Sequence, residues 1–257
     1  MPDKYKHDSL ITAKQDRKYE FFGKNPTFKV PSSVILVFGQ STYGILDPER
    51  FKHEYFNNGL MYFIDPEVGI LQSRDYGPEV HMSMEKLIEF GAKEFIIAGW
   101  AGTIQHDLHN GDIVICDKAI KDDGVSQHYI GPGKYVDADK TLVNELSAFA
   151  EKSKIPNRVG GTLTTCAPLT TTAEEVKLYS SEGIQTIEME AATTFALSKK
   201  FGVRAGAVFV VSDSLAKLMW KPSAILPQDK ISTVLHLVTK GEFVDRRMPP
   251  FGLENKL

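Results

Sequence analysis

The chain has 257 residues, 42% of them hydrophobic, 25% charged and 10% aromatic, with 30 basic against 33 acidic side chains and 2 cysteines. That balance excludes a disordered, collagen-like or disulfide-stapled chain and gives no electrostatic ground for binding nucleic acid or an anionic membrane. The longest apolar runs fall far short of the roughly 20 residues a membrane-spanning helix needs, and the polar start, Met1-Pro2-Asp3-Lys4-Tyr5-Lys6, lacks the apolar stretch of a secretory signal, so a cytoplasmic protein with a small-molecule partner is expected.

Residues 1–30 are charged and aromatic without a clean period and read as an irregular arm. From Pro31 the pattern changes: residues 34–38 form a short continuous apolar run closed by Gly39, as in a strand buried on both faces. Residues 84–90 carry apolar side chains at helical spacing and stop at Gly91. A second apolar run, 94–98, leads into Gly99-Trp100-Ala101-Gly102-Thr103, read as a glycine-containing turn. Glycines at a strand end let backbone N–H groups approach an anion, although this stretch is neither a Walker loop nor Gly-x-Gly-x-x-Gly. Further strand-like runs follow at 113–116, 184–187 and 205–211. Between and after them lie helical patterns at 142–150, at 191–201 before Gly202, and at about 230–240. Strands alternating with helices predict right-handed crossovers. The expected fold is therefore a single-domain, three-layer α/β/α arrangement over residues 31–245, with a mixed, largely parallel twisted central sheet and an irregular tail over 246–257.

Two acidic positions carry the chemistry. Glu188-Met189-Glu190 stands where the run 184–187 ends and the helix 191–201 begins. In α/β sheets ligands bind beyond the carboxyl ends of the strands, so a carboxylate there can accept hydrogen bonds from vicinal hydroxyls; service at the helix N-terminus is the alternative. One crossover later, Val211-Ser212-Asp213-Ser214 sets an acid at the end of an uncharged strand. An apolar wall can hold such a proton to higher pH; capping of the following turn is the other reading. Together the pair suits a reaction in which a leaving group on a sugar must be protonated. His106, Asp107 and His109 lack a third ligand at a recognisable spacing, so no metal is expected. Cys166 has no nearby base to make it a nucleophile and is assigned to pocket wall or core.

In order and context, Ile187-Glu188-Met189-Glu190-Ala191-Ala192 and Val211-Ser212-Asp213, with Gly99-Trp100-Ala101-Gly102-Thr103-Ile104 and Asn110-Gly111-Asp112-Ile113-Val114 upstream, resemble the nucleoside phosphorylase-I superfamily. That superfamily holds purine nucleoside phosphorylases, uridine phosphorylases and methylthioadenosine/adenosylhomocysteine nucleosidases. The segment from Lys121 to Tyr129 is similar to the "DEGTSYHY" stretch of one branch, and Thr164-Thr165-Cys166-Ala167-Pro168 to its "TTDAP". The resemblance covers roughly residues 33–215.

The resemblance implies that Glu190, with the Met189 backbone, holds the ribose 2′- and 3′-hydroxyls while Glu188 shapes the same wall, and that Asp213 protonates or hydrogen-bonds the base at N7. It places Thr165, Cys166, Ala167 and Ser212 towards the base, and Gly39, Arg74, Gly99 and Trp100 towards phosphate, with Arg50 as another source of positive charge. The chain departs from the family where Ile97 replaces an arginine and Trp100 a small hydroxylated residue, and where Cys166 and Leu169-Thr170-Thr171 remove a charge and an aromatic ring from the base end. The activity implied is phosphorolysis of a nucleoside N-glycosidic bond, giving free base and (deoxy)ribose 1-phosphate, with inorganic phosphate as co-substrate and no cofactor. Alternatives are a nucleosidase using water in the same pocket, favoured by Ile97, and a non-catalytic member that binds a nucleoside or nucleobase, favoured by Trp100. The implied assembly is a homodimer or a homohexamer built as a trimer of dimers, with His7, Tyr19, Phe21, Phe22 and His128 as candidate contacts between subunits.

Overall fold

The structure, a computed structural model, describes residues 3–38, 45–73, 77, 80–223 and 226–244. Gly39, Arg74 and the tail 246–257 lie outside these residues.

The apolar run at 34–38 becomes strand β1 (Ser33–Phe38), which is flanked by parallel neighbours on both sides. Those neighbours are β4 (Val68–Ser73) and β5 (Glu94–Thr103), with Ile35 standing opposite Ile70 on one side and Ile96 on the other. Beyond β4 the sheet runs out through an antiparallel meander of β3 (Gly59–Phe63) and β2 (His53–Phe56). On the other side β5 pairs in parallel with β10 (Arg204–Ser214). From β10 the pairing continues to β6 (Ile113–Asp122), β8 (Arg158–Thr165) and β9 (Ile184–Glu188), and β9 pairs back onto the far end of β5. The strands β5, β10, β6, β8 and β9 therefore form a closed ring, and β1 to β4 extend from it as an open sheet through the shared strand β5. The short strands β7 (Tyr135–Asp137) and β11 (Lys221–Pro222) add to β6 and β10.

Helices cover the sheet in two groups. One holds α1 (Ala13–Tyr19), α2 (Val80–Glu89), α3 (Gln127–Ile130) and α6 (Ala191–Phe201), with α2 and α3 against α6, and α6 against β6, β8 and β10. The other joins α4 (Lys140–Lys152) and α7 (Gln228–Val238), which rest on each other and on β10. The remaining helix, α5 (Ala173–Ser181), packs beside β9. Start and stop signals agree with the chain's own chemistry. Asp139 caps α4 by accepting from Leu142 N at 2.8 Å, Thr172 and Glu175 form a reciprocal capping box on α5, and Gly202 closes α6 in the left-handed conformation.

Two expectations are corrected. Residues 99–103 are not a turn: they continue β5, because that stretch has partners on both sides, β10 along its length and β9 at its end. The sheet is mixed, as expected: it is parallel at β4–β1–β5–β10 and β6–β8–β9, while β6 runs antiparallel to β10 and β9 antiparallel to the end of β5. The arm 1–30 contains a helix, α1, with a capping box between Thr12 and Gln15. Its sequence AKQDRKY has no apolar stripe because a buried ion pair docks it, Lys86 Nζ lying 2.9 Å from Asp16 Oδ2 with both side chains sealed from water. Burial works against the charge on Asp16, but Lys86 and the Phe22 N–H outweigh it and hold the carboxyl below its ordinary value. Among the described residues no helix is long and apolar enough to cross a membrane.

Candidate active site

A cavity of about 600 Å³ opens where β5, β9 and β10 end. Its walls are mostly apolar, with Phe38, Ile97, Ile187 and Phe209 deep and Leu218, Met219 and Trp220 contributed by the segment after β10. Three acids reach it: Glu188 and Glu190 from the β9–α6 junction and Asp213 from β10. No Lys, Arg or His is among the described residues that line it.

Glu188 is the last residue of β9, and its carboxylate faces donors rather than solvent. One oxygen accepts from Glu190 N at 2.7 Å and Ala191 N at 2.8 Å, and the other accepts from the Thr164 hydroxyl. The first free N–H groups of α6 are satisfied in this way, since Glu190, in the N-cap position, makes no side-chain cap of its own. Thr164 ties the arrangement to β8 by accepting from Ala192 N at 2.9 Å. Glu190 is left to face the cavity, with one oxygen accepting from Gly77 N at 2.8 Å. Burial raises the proton affinity of both carboxyls, and for Glu188 the neighbouring Glu190 charge adds to it, against the N–H and hydroxyl donors that favour the ionised forms.

Asp213 owes its aim to a bulge. In the β10–β5 ladder Val211 stands opposite Ala101 and Asp213 opposite Gly102, so Ser212 is the extra residue. Such a bulge re-aims the side chain that follows it. Asp213 Oδ1 accepts from Ser212 Oγ at 2.6 Å and Oδ2 from Trp220 Nε1 at 2.9 Å. Gly102 on the adjoining strand leaves Asp213 its room: a Cβ there would lie 3.0 Å from Asp213 Oδ2 and 3.2 Å from Ile187, so those groups would have to shift.

The structure thus brings together, at one cavity, Asp213, Glu188, Met189, Glu190, Thr165, Ser212, Gly99 and Trp100. Cys166 and Ala167 do not line it. After Thr165 the chain turns outward, Cys166 N donating to Asp122 O and Ala167 N to Thr165 Oγ1, and the Cys166 thiol is exposed. Gly39 and Arg74 lie outside the described residues, and Arg50 is not at the cavity but donates to Val244 O at 3.0 Å. His128 is exposed on α3, away from the lining residues. In the segment likened to "DEGTSYHY", Asp123 is buried and structural, accepting from Ser126 N and Oγ and from the Thr193 hydroxyl of α6. Asp107 forms a two-pronged ion pair with Arg158, at 2.9 and 3.0 Å, so the His106–His109 segment is occupied by a salt bridge. Trp220 carries a part of the site that sequence reasoning passed over, its one available signal being the apolar Leu218-Met219-Trp220 a few residues after Asp213, while Thr164 and Gly102 were quoted only within longer motifs and given no task of their own.

Comparison with known proteins gives the family. A family model described as the phosphorylase superfamily matches residues 77–233. A guanosine phosphorylase from Halorubrum lacusprofundi is 32% identical over 138 residues, 54% of this chain and 57% of its own. A purine nucleoside phosphorylase of the DeoD type from Caldanaerobacter subterraneus subsp. tengcongensis is 31% identical over 140 residues, 54% of this chain and 60% of its own. A uridine phosphorylase from Thermococcus kodakarensis is 25% identical over 200 residues, 67% of this chain and 69% of its own. The chain spans a little under three fifths of the first of these relatives and 60% of the second. With more than half of its sequence matched by the family model, the chain belongs to the phosphorylase superfamily.

Proposed function

We propose that the protein is a nucleoside phosphorylase, cleaving an N-glycosidic bond with inorganic phosphate to release free base and (deoxy)ribose 1-phosphate. The reading is carried by Glu190 and Asp213, which reach one cavity from two separate strand ends in a chain of this superfamily. The names of its relatives, guanosine, purine nucleoside and uridine phosphorylase, support the same class.

Each residue then has a task. Glu190 holds the ribose hydroxyls, and the Met189 backbone lies beside it; Glu188 works indirectly, by fixing the turn that presents Glu190. The apolar walls exclude water and give the flat base a surface to rest on. A phosphate oxygen forms the new bond to C1′ as the C1′–N bond breaks, its electron pair leaves with the base, and Asp213 supplies a proton to the base nitrogen. Asp213 is left as a carboxylate and regains its proton from solvent. Each acid gives a test: Asp213→Asn and Glu190→Gln should each lower kcat/KM by on the order of 10²-fold, measured as base and sugar phosphate released from a nucleoside panel. Unchanged turnover in both variants would rule the reading out.

Ile97, which lines the cavity where the family resemblance leads one to expect an arginine, supports a second reading, with water in place of phosphate. Base release to free sugar, at a rate indifferent to phosphate, would decide for it. We further read the two helix groups as the outer layers of a single-domain α/β/α fold over residues 31–245, with 1–30 an arm docked on it through α1. Limited proteolysis that leaves 31–245 as one fragment supports this, and early cleavage within it refutes it. The exposed Leu169, Met219 and Trp220 at the cavity mouth support self-association as a dimer or trimer of dimers, which sedimentation would read directly.

A further inference from the structure

The indole of Trp220 and the hydroxyl of Ser212 each hold one oxygen of Asp213, and the two differ in what they can do. An indole N–H only donates, whereas a serine hydroxyl donates or accepts as its hydrogen turns. Trp220 Nε1, 2.9 Å from Oδ2, therefore requires that oxygen to be an acceptor in every protonation state. Ser212 Oγ lies 2.6 Å from Oδ1 and 3.3 Å from Ala101 O, so it has a second acceptor to which its own hydrogen can turn. When Asp213 is protonated, Oδ1 is the favoured place for the hydrogen, because a carboxyl oxygen that bears it accepts more weakly than its carbonyl partner and Oδ2 must accept from Trp220; Ser212 Oγ then receives the hydrogen and the serine hydrogen passes to Ala101 O. We propose that Trp220 is a positioning residue for the acid: its N–H reserves Oδ2 and so fixes Oδ1 as the oxygen that delivers the proton to the leaving base.

This rests on the phosphorylase reading and deepens it. With a nucleoside bound, the Oδ1 hydroxyl turns from Ser212 Oγ to the base nitrogen; as the base leaves its proton passes there, the Ser212 hydrogen turns back to Oδ1, and the new carboxylate accepts from Ser212 and Trp220 at once. No heavy atom has to move. The backbone supports the arrangement from both sides. Asp213 pairs with Pro222 in the β10–β11 ladder directly beyond Trp220, and Leu215 N donates to Thr103 O at 2.9 Å at the start of the intervening loop. That loop carries Leu218 at φ +57°, a left-handed conformation that a branched side chain adopts only when its surroundings require it. The indole itself remains 69% exposed, so packing alone does not account for its place; its fixed contact is the one with Asp213.

The test compares substrates that need the proton with one that does not. A purine nucleoside methylated at N7 carries a cationic base, which leaves without protonation, whereas guanosine or inosine requires it. Trp220→Phe keeps a ring and removes the N–H. It should lower kcat for the unmethylated nucleosides about tenfold, the scale of one charge-assisted hydrogen bond facing solvent, with KM changed less than about twofold. The 7-methyl nucleoside should be turned over at the wild-type rate. Trp220→Leu should show the same kcat loss with a higher KM, because the ring is gone too. A Trp220→Phe enzyme that matches wild type on guanosine and inosine, or that slows the 7-methyl nucleoside equally, overturns the inference while leaving the phosphorylase reading intact. A wild type that cleaves no purine nucleoside removes the reading on which the inference stands, and that outcome is recognised from the unmutated protein alone.

Discussion

Replacing Glu188 by alanine tests whether the site is built on a buried acceptor. Three close donors lose their partner, Glu190 N, Ala191 N and the Thr164 hydroxyl, and the Thr162 hydroxyl loses a longer contact of 3.5 Å. A buried donor left unsatisfied costs about 1–3 kcal/mol. The hydroxyls can turn elsewhere, and the adjoining cavity lets water into the emptied space, so each backbone N–H falls at the low end and the sum is about 2–3 kcal/mol. Against this stands the cost of burying the carboxyl. Burial first, and then the Glu190 charge, push the proton affinity of Glu188 well above its ordinary value. The folded chain therefore keeps a proton that the unfolded chain has already released. The stability from this carboxyl is fully present below the unfolded value and is lost as pH rises through the folded one. Urea unfolding at about pH 5.5 and about pH 8.5 reads both effects. Glu188→Ala should lose about 2–3 kcal/mol at the lower pH and less at the higher. Glu188→Gln, which keeps an acceptor for both N–H groups, should cost about 1 kcal/mol or less and flatten the alkaline decline. An alanine variant as stable as wild type at the lower pH, or a gap that widens at the higher, would refute the reasoning.

Two more outcomes follow from other contacts. Lys86→Met strands the sealed Asp16 carboxylate and should cost about 3–5 kcal/mol, seen in urea unfolding and as faster amide exchange through α1; a loss below about 1 kcal/mol would mean that α1 is not docked by this pair. Gly102→Ala puts a methyl group 3.0 Å from Asp213 Oδ2, in a residue held on both oxygens, so kcat should fall about tenfold while the unfolding midpoint moves little, since displacement of a catalytic group costs far more rate than stability. Equal losses of rate and stability would show that the strand itself has been disturbed.

Much of the fold is visible in local pattern. The runs 34–38, 184–187 and 205–211 and the helix 191–201 sit where their apolar spacing puts them, because each is buried by neighbours on both sides. What fails is decided by partners distant in sequence. Gly99 to Thr103 is punctuated like a turn, yet β10 and β9 hold it extended. The helix α1 has no apolar stripe to announce it, since one charge pair docks it. At the site, Glu190 and Asp213 were readable from strand ends and family likeness, but the division of labour at the glutamate pair was not. That division depends on Thr164, directly opposite Glu188 on the neighbouring strand β8, which local pattern cannot pair with it. Cys166 and Ala167 show what order along the chain leaves open: their neighbours Thr165 and Pro168 line the cavity, whereas these two do not.

The closed ring also bears on how the protein comes into being. The pairing of its last strand in the chain, β10, with β5 joins positions such as Glu94 and Arg204 that are 110 residues apart in sequence. Contacts of such range form slowly, because the loop entropy is lost before the pairing repays it. Asp213 is the penultimate residue of the last ring strand to be synthesised, and its opposite number Gly102 waits on the earlier one. An emerging chain can hold its open sheet and several helices well before it holds any part of the cavity that bears the acid. Binding capacity should therefore appear late and abruptly during folding, with the final strand, rather than accumulate as the other elements form.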